Sequence, residues 1–264
     1  MSIQVQRWCA WSGVAFTVLF IAGFLIAGFV PPPPPTLDPA GIAGFYGANQ
    51  LRIHIGLLIC SLSAPLITAW IAGISLQMRR IEGNRSPLAF AQGIAGAALV
   101  LEFLFPFLMW QTAAYRSDRD PAIVQALNDL GWLCFLGIPM TAAFQGVVFG
   151  LAVLRDGRAT PRFPRWVGYF NIWICMMYVP ASFCVLTQTG PIAWNGLISW
   201  WLAAVTYFIW MIGVTYALLR AIRAEQAEVA AADEDGRRRI ALDLDLAPAG
   251  GARGSATGVT ILEG

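Results

Sequence analysis

Six apolar runs, residues 11–30, 53–78, 87–115, 125–154, 166–189 and 194–223, fill most of this chain, and its arginines gather at alternate breaks between them. A helix rises about 1.5 Å per residue, so about 20 apolar residues cross a hydrocarbon layer roughly 30 Å thick. The pattern predicts an all-α fold, a polytopic transmembrane bundle of six spanning helices. Arg79, Arg80 and Arg85 follow the second run and Arg155, Arg158, Arg162 and Arg165 follow the fourth, while Arg7 precedes the first and Arg223 closes the last. Basic residues stay on the cytoplasmic side, so both termini are expected there.

Composition agrees. Charged residues make up 12% and hydrophobic residues 58% of the chain, with a mean hydropathy of +0.63, against about 25% charged in a soluble domain. A net charge of +2 is too small for a nucleic-acid partner. All 17 basic residues are arginine, which serves topology as well as lysine would. The length leaves room for one membrane domain, 1–223, and a polar cytoplasmic tail, 224–264, read as a short helical extension followed by disorder. No internal repeat is visible, so a transporter built from two inverted halves has no support.

The first run is too long for a secretory signal, whose apolar core spans about 7–15 residues. Five prolines, residues 31–35, follow it. Prolines cannot continue a helix and favour an extended polyproline segment, expected to lift the chain off the membrane. Asp38 and Pro39 then have the form of an N-cap and first helical position, predicting a short interfacial helix through Phe45 and Tyr46. Trp8, Trp11, Trp110, Tyr115, Trp166, Tyr169, Trp194 and Trp200 lie near the ends of the runs and are expected as headgroup-level anchors. A ligand cage of tryptophans would require them to converge.

Polar residues inside the runs carry the functional information, because in hydrocarbon each needs a partner or a cavity. His54, Ser61, Thr68 and Ser75 recur every seven residues in the second run. Asn171, Cys175, Tyr178 and Ser182 follow helical spacing in the fifth; Cys134, Thr141 and Gln145 mark the fourth, and Ser199, Ala203, Thr206 and Gly213 the sixth. These small or polar faces are expected to point at one another. Glu102 is the one acidic residue deep inside a run, where a carboxylate costs about 2.5–3.5 kcal/mol on insertion scales. Pro106, four residues on, removes the donor for the Glu102 carbonyl, so a kink and a free acceptor are expected there.

At about 1.5 Å per residue, Glu102, Thr141, Tyr178 and Thr206 all fall near the midplane. The expected binding site is therefore a hydrogen-bonded cluster of these four, with Tyr178 and Thr141 as candidate partners of Glu102. Glu102 reads either as a protonated packing residue or as a proton- or substrate-linked group. His54, the one histidine, lies too far out to pair with it and reads as an interfacial hydrogen-bonder.

A single histidine excludes paired-histidine haem ligation and a His-Glu-x-x-His zinc site, and no phosphate loop or serine-nucleophile motif is present. Cys9, Cys60, Cys134, Cys175 and Cys184 form no Cys-x-x-Cys pair and read as small buried hydrophobes. No metal, cofactor or catalytic set is therefore expected. Residues 161–169 read as a rigid positive-inside turn, with capacity for anionic headgroups as a second reading; residues 190–196 read as a tight outer turn with Asn195 capping the last helix.

These two segments, with the Pro-rich loop and the stretch Leu127-Asn128-Asp129-Leu130-Gly131-Trp132, resemble a group of uncharacterised bacterial multi-pass membrane proteins over the first 220 residues or so. The resemblance implies a bacterial cytoplasmic membrane and carries no site residues. The leading expectation is an inner-membrane protein that binds or moves a small lipophilic molecule in the bundle interior near Glu102. The alternatives are a non-catalytic membrane subunit packing against a partner protein, and an enzyme acting on lipid or quinone through Glu102, Tyr178 and His54.

Overall fold

The computed structural model describes residues 2–83 and 85–245. Among these, the elements are helical throughout: α1 (Ile3–Ala27), α2 (Pro39–Ser63), α3 (Pro65–Glu82), α4 (Pro87–Tyr115), α5 (Pro121–Gly137), α6 (Met140–Leu154), α7 (Arg165–Met176), a 3-10 segment (Val179–Leu186), a π-helical turn (Leu197–Leu202) and α8 (Ala203–Asp245). They combine into six segments long and apolar enough to cross a membrane. The fold is an all-α helical bundle of multi-pass membrane type. Contacts group Met1–Arg223 into the bundle and the chain from Ala224 into a second unit, in which the helix runs on to Asp245. The disordered end expected for the tail falls on residues 246–264, outside the described residues.

Proline opens half of the described α-helices. Pro39, Pro65, Pro87 and Pro121 each stand at the first position of a helix, where the missing donor costs nothing and the fixed φ is already helical. Asp38 caps α2 by accepting from the Gly41 N–H at 2.8 Å, as the sequence predicts, and Asp120 caps α5 through the Ala122 N–H. The Glu82 carboxylate accepts from the N–H groups of Leu88 and Ala89, satisfying the first turn of α4 across the intervening turn. At the other end of α1, Gly28 takes a left-handed conformation (φ 74°) while the Phe29 N–H reaches the Phe24 carbonyl. That is a Schellman stop, and it seats Phe29 in the core with no exposure.

Four expectations need correction. The helix begun at Asp38 does not end at the interface but runs unbroken to Ser63, because nothing between Tyr46 and Ile53 breaks it. Asn49, a residue prone to end helices, instead donates back to the Phe45 carbonyl within its own helix. The stretch Pro39–Glu82, which contains α2, Ala64 and α3, has 44 residues, at about 1.5 Å per residue more than twice a bilayer's hydrocarbon thickness. The proline loop does not stand away from the bundle. Pro32, Pro33 and Pro35 are buried, the Trp194 indole donates to the Pro33 carbonyl at 2.9 Å, and Gln125 donates to the Leu37 carbonyl.

The seven-residue polar stripe of the second run is also interrupted. Pro65 divides the run at Ala64, and Thr68 beyond the break is exposed while Ser75 bonds to the Ala89 carbonyl and Gln92. Finally, the tryptophans sort into two classes. Trp8, Trp11 and Trp166 are exposed as anchors would be, whereas Trp110, Trp194 and Trp200 are buried. Run ends alone misassigned these three, because burial depends on which way the ring faces and not on its depth.

Small residues let the helices close on one another. Gly23 of α1 faces Gly56 of α2, and Gly150 of α6 faces Gly168 of α7, each backbone lying where a side chain of the other would stand. Gly131 receives the Trp110 indole and Gly13 the Trp70 indole. Buried indoles are tied across helices: Trp70 donates to Thr215 of α8 at 2.9 Å and Trp210 of α8 to Asn171 of α7 at 2.7 Å. In the loop after α6, burial works against the Asp156 charge. Hydrogen bonds from the Arg158 guanidinium and the Arg162 and Arg158 N–H groups outweigh it and hold the carboxyl below its ordinary range.

A Cβ at Gly56 would overlap the Gly23 carbonyl oxygen, whereas one at Gly44 of the same helix meets nothing within 4 Å. Gly56→Leu is therefore expected to destabilise the bundle by about 1–3 kcal/mol or more, lowering the thermal unfolding midpoint in detergent. Gly44→Ala should leave it unchanged or slightly raised; equal midpoints for the two variants would refute a tight α1–α2 seam.

Candidate functional site

Glu102 sits midway along α4 and is half-buried. The span facing it is broken where Ile138 and Pro139 leave the helical path between α5 and α6. Pro139 has no N–H to give the Phe135 carbonyl, so α5 stops and α6 starts afresh at Met140. The new start puts Thr141 against α4. Its hydroxyl donates to Glu102 Oε1 at 2.5 Å, the partnership that their common depth predicts. The helix α4 itself continues through Pro106.

Beside this pair lies a cavity of about 310 Å³, open on the side where the lining residues Leu25, Trp201 and Val205 are exposed. Glu102, Phe103 and Leu99 of α4 form one wall, Phe20 and Phe24 of α1 another. The rest comes from places where helices are irregular. Pro139 belongs to the break before α6, Tyr178 and Ala181 to the change from α7 to 3-10 geometry at Pro180, and Trp200 and Trp201 to the π-helical turn. In that turn the Trp201 N–H reaches back to the Gly196 carbonyl, five residues away. Non-helical backbone is tolerated at membrane depth only when it faces protein or a cavity. Three interrupted spans meeting at one hollow satisfy that condition together.

The cavity's lining is aromatic. Phe103 lies 5.8 Å from both Phe135 and Tyr207, and Phe135 lies 6.4 Å from Trp200. Trp132 joins Trp110 at 4.4 Å and Trp200 at 5.7 Å, so several of the tryptophans do converge. Edge-to-face and tilted pairs of this kind contribute about 0.5–1.5 kcal/mol each beyond their burial, which lets a cavity persist between them.

Polar groups in this wall are incompletely used. The hydroxyls of Tyr178 and Tyr207 and the indole N–H of Trp200 are buried without a hydrogen-bond partner on the protein. The two tyrosine rings are 6.2 Å apart. One turn beyond Thr141, Gln145 is 1% exposed, and neither of its amide atoms has a partner on the protein. Thr206 stays apart: its hydroxyl bonds to the Leu202 and Ala203 carbonyls of its own helix, and it does not line the cavity. His54 lies near the middle of α2, its ring 6.4 Å from Tyr115, and it does not line the cavity.

Of the four residues expected to form one hydrogen-bonded cluster, only Glu102 and Thr141 bond to each other; Tyr178 lines the cavity with its hydroxyl unpartnered, and Tyr207, Trp200 and the phenylalanines were not anticipated. Tyr207 was detectable, since it follows Thr206 at the same depth and is the more polarisable neighbour. On its other side Glu102 borders an open crevice between α4 and α5, with Ala98, Pro106 and Cys134, whose outer rim of Leu101, Phe105, Leu130 and Ile138 is exposed. It is the residue common to the crevice and the cavity. Among the described residues, no group of three His, Cys, Asp or Glu is placed to hold a metal ion.

No protein-family model, curated protein or solved structure matches the chain, so its chemistry must be read from geometry. Thr141→Val keeps the shape of the side chain but leaves Glu102 Oε1 without its donor, an expected loss of about 1–3 kcal/mol in stability. Thr141→Ser restores the hydroxyl and should recover most of it. Thermal unfolding of both variants decides the matter, and a Val variant as stable as wild type would show that the contact contributes nothing.

Proposed function

We propose that this protein is a multi-pass protein of a bacterial cytoplasmic membrane that binds a small lipophilic molecule within its bundle, as a carrier or receptor for it. The observation that carries this reading is the cavity of about 310 Å³, within the range of small-molecule sites, walled by aromatic rings and edged by the one deep carboxylate. A bundle packed solid at this level would instead have favoured a scaffold. The exposed rim of the cavity at Leu25, Trp201 and Val205 gives a membrane-dissolved molecule a way to approach without crossing water, and the apolar lining suits such a molecule.

Mass spectrometry of lipids and metabolites copurifying with the full chain tests this directly. Ala204 lines the cavity, so Ala204→Leu should fill it. The expected result is one molecular species enriched with wild type and depleted at least about fivefold in the variant, while both fold alike; an identical extract from each would sink the reading.

The proposed topology places both termini and the loops after the second and fourth spans in the cytoplasm, following their arginines. Trypsin should then cut within residues 155–165 in inside-out vesicles and leave them whole in right-side-out vesicles. The reverse pattern would overturn the orientation.

A further inference from the structure

We infer that the molecule held in this cavity bears an acceptor oxygen on or beside a planar ring, as an aryl ketone or a quinone does, and that Tyr178, Tyr207 and Trp200 recognise it. The inference rests on the proposed lipophile site and names the chemistry that site selects.

A bilayer interior makes the argument sharper than it would be in a soluble protein. An O–H or N–H in hydrocarbon has no water to fall back on, so membrane proteins match donors to acceptors inside the bundle. This bundle does so for several buried groups, though the Trp110 indole N–H and the Gln145 side chain also lack a protein partner. Trp70 has Thr215, Trp210 has Asn171, Trp194 has the Pro33 carbonyl, and Tyr46 and Trp132 share Asn128. Among the buried donors left without a protein acceptor, three sit on side chains that line one cavity. Tyr178 is 3% and Trp200 5% exposed, so the groups are enclosed.

Three donors call for a ligand that accepts. A carbonyl oxygen has two lone pairs and can take two donors at once, and the two tyrosines that offer them are neighbours, their ring centroids 6.2 Å apart. The neighbouring rings supply the second half of the recognition. Phe103, Phe135, Phe24 and Trp200 are tilted, stacked or edge-on against one another at 5.5–6.4 Å, spacing in which a planar ring finds offset and edge contacts. Glu102 has the Thr141 hydroxyl on Oε1. It therefore sets the polar end of the site without requiring a cationic guest.

The experiment uses the full chain in lipid nanodiscs and radiolabelled para-decylacetophenone, with competition by decylbenzene, which has the same ring and tail but no acceptor, and by decyltrimethylammonium. The ketone is expected to compete at least about tenfold better than decylbenzene, the factor for one hydrogen bond of ordinary net strength. Tyr178→Phe and Tyr207→Phe should each weaken the ketone about three- to tenfold and leave decylbenzene unchanged. Both variants should unfold no earlier than wild type without ligand, since each removes a donor that has no protein partner.

Equal competition by decylbenzene would overturn the inference while leaving a lipophile site in place. Strongest competition by the ammonium would overturn it in favour of a Glu102-centred cation site. No saturable binding of any of the three would remove the proposed function along with it. Retained ketone affinity in both Phe variants would assign recognition to other groups and refute the role given to the tyrosines.

Discussion

A broken helix inside hydrocarbon has nowhere to send its freed backbone groups except inward, and the arrangement of this bundle follows from that constraint. Proline interrupts the second, fourth and fifth spans at Pro65, Pro139 and Pro180, and the sixth opens with a π-helical turn. Three of these four irregularities border the same cavity. Had they been scattered around the perimeter, each would expose unsatisfied carbonyls to lipid at a cost of several kcal/mol. Gathering them lets one interior region absorb all three, and a region assembled from irregular segments does not pack as densely as one of regular ridges and grooves. The hollow and the breaks are therefore one feature.

What surrounds the hollow must be rigid for it to last. Glycine seams hold α1 on α2 and α6 on α7 at backbone contact, and the aromatic cluster from Phe20 to Trp132 and Trp200 props the centre apart. The small-residue faces are thereby spent inside the bundle. Gly23, Gly56, Gly131, Gly146, Gly150 and Gly168 all meet atoms of neighbouring helices at distances a Cβ could not share. A scaffold that recruits a partner through such faces needs them outside, so their inward use argues for a bundle organised around its own contents.

The fold was legible in the sequence because hydrophobic length, arginine position and helix caps are local signals. Asp38 with Pro39 marked a helix start correctly, and depth counting brought Glu102 to Thr141 across two spans. Counting worked there because both residues stand near the middle of their runs, where small errors in tilt move them little. It failed where direction mattered more than depth. Thr206 has the right height but spends its hydroxyl on its own helix, and Trp110 and Trp200 have the height of anchors but face inward. The interruptions at Pro65, Pro139 and Pro180 were visible as letters, yet a hydropathy run reads straight through a proline, since proline changes backbone hydrogen bonding and hardly changes apolarity.

Glu102 gains its meaning from these interruptions. On a straight six-helix bundle a lone carboxyl at this depth would be an expensive packing residue, tolerable if a single hydroxyl met it. Here Thr141 meets it because the fourth span restarts at Met140, so the partner exists only through the break. The same break contributes Pro139 to the cavity and Ile138 to the crevice on the far side of Glu102. One irregular turn thus positions the carboxyl's partner, part of the interior wall and part of the membrane-facing opening. A change at Ile138 or Pro139 that restored a continuous helix would alter all three together, which makes this turn, and not Glu102 alone, the structural centre of the site.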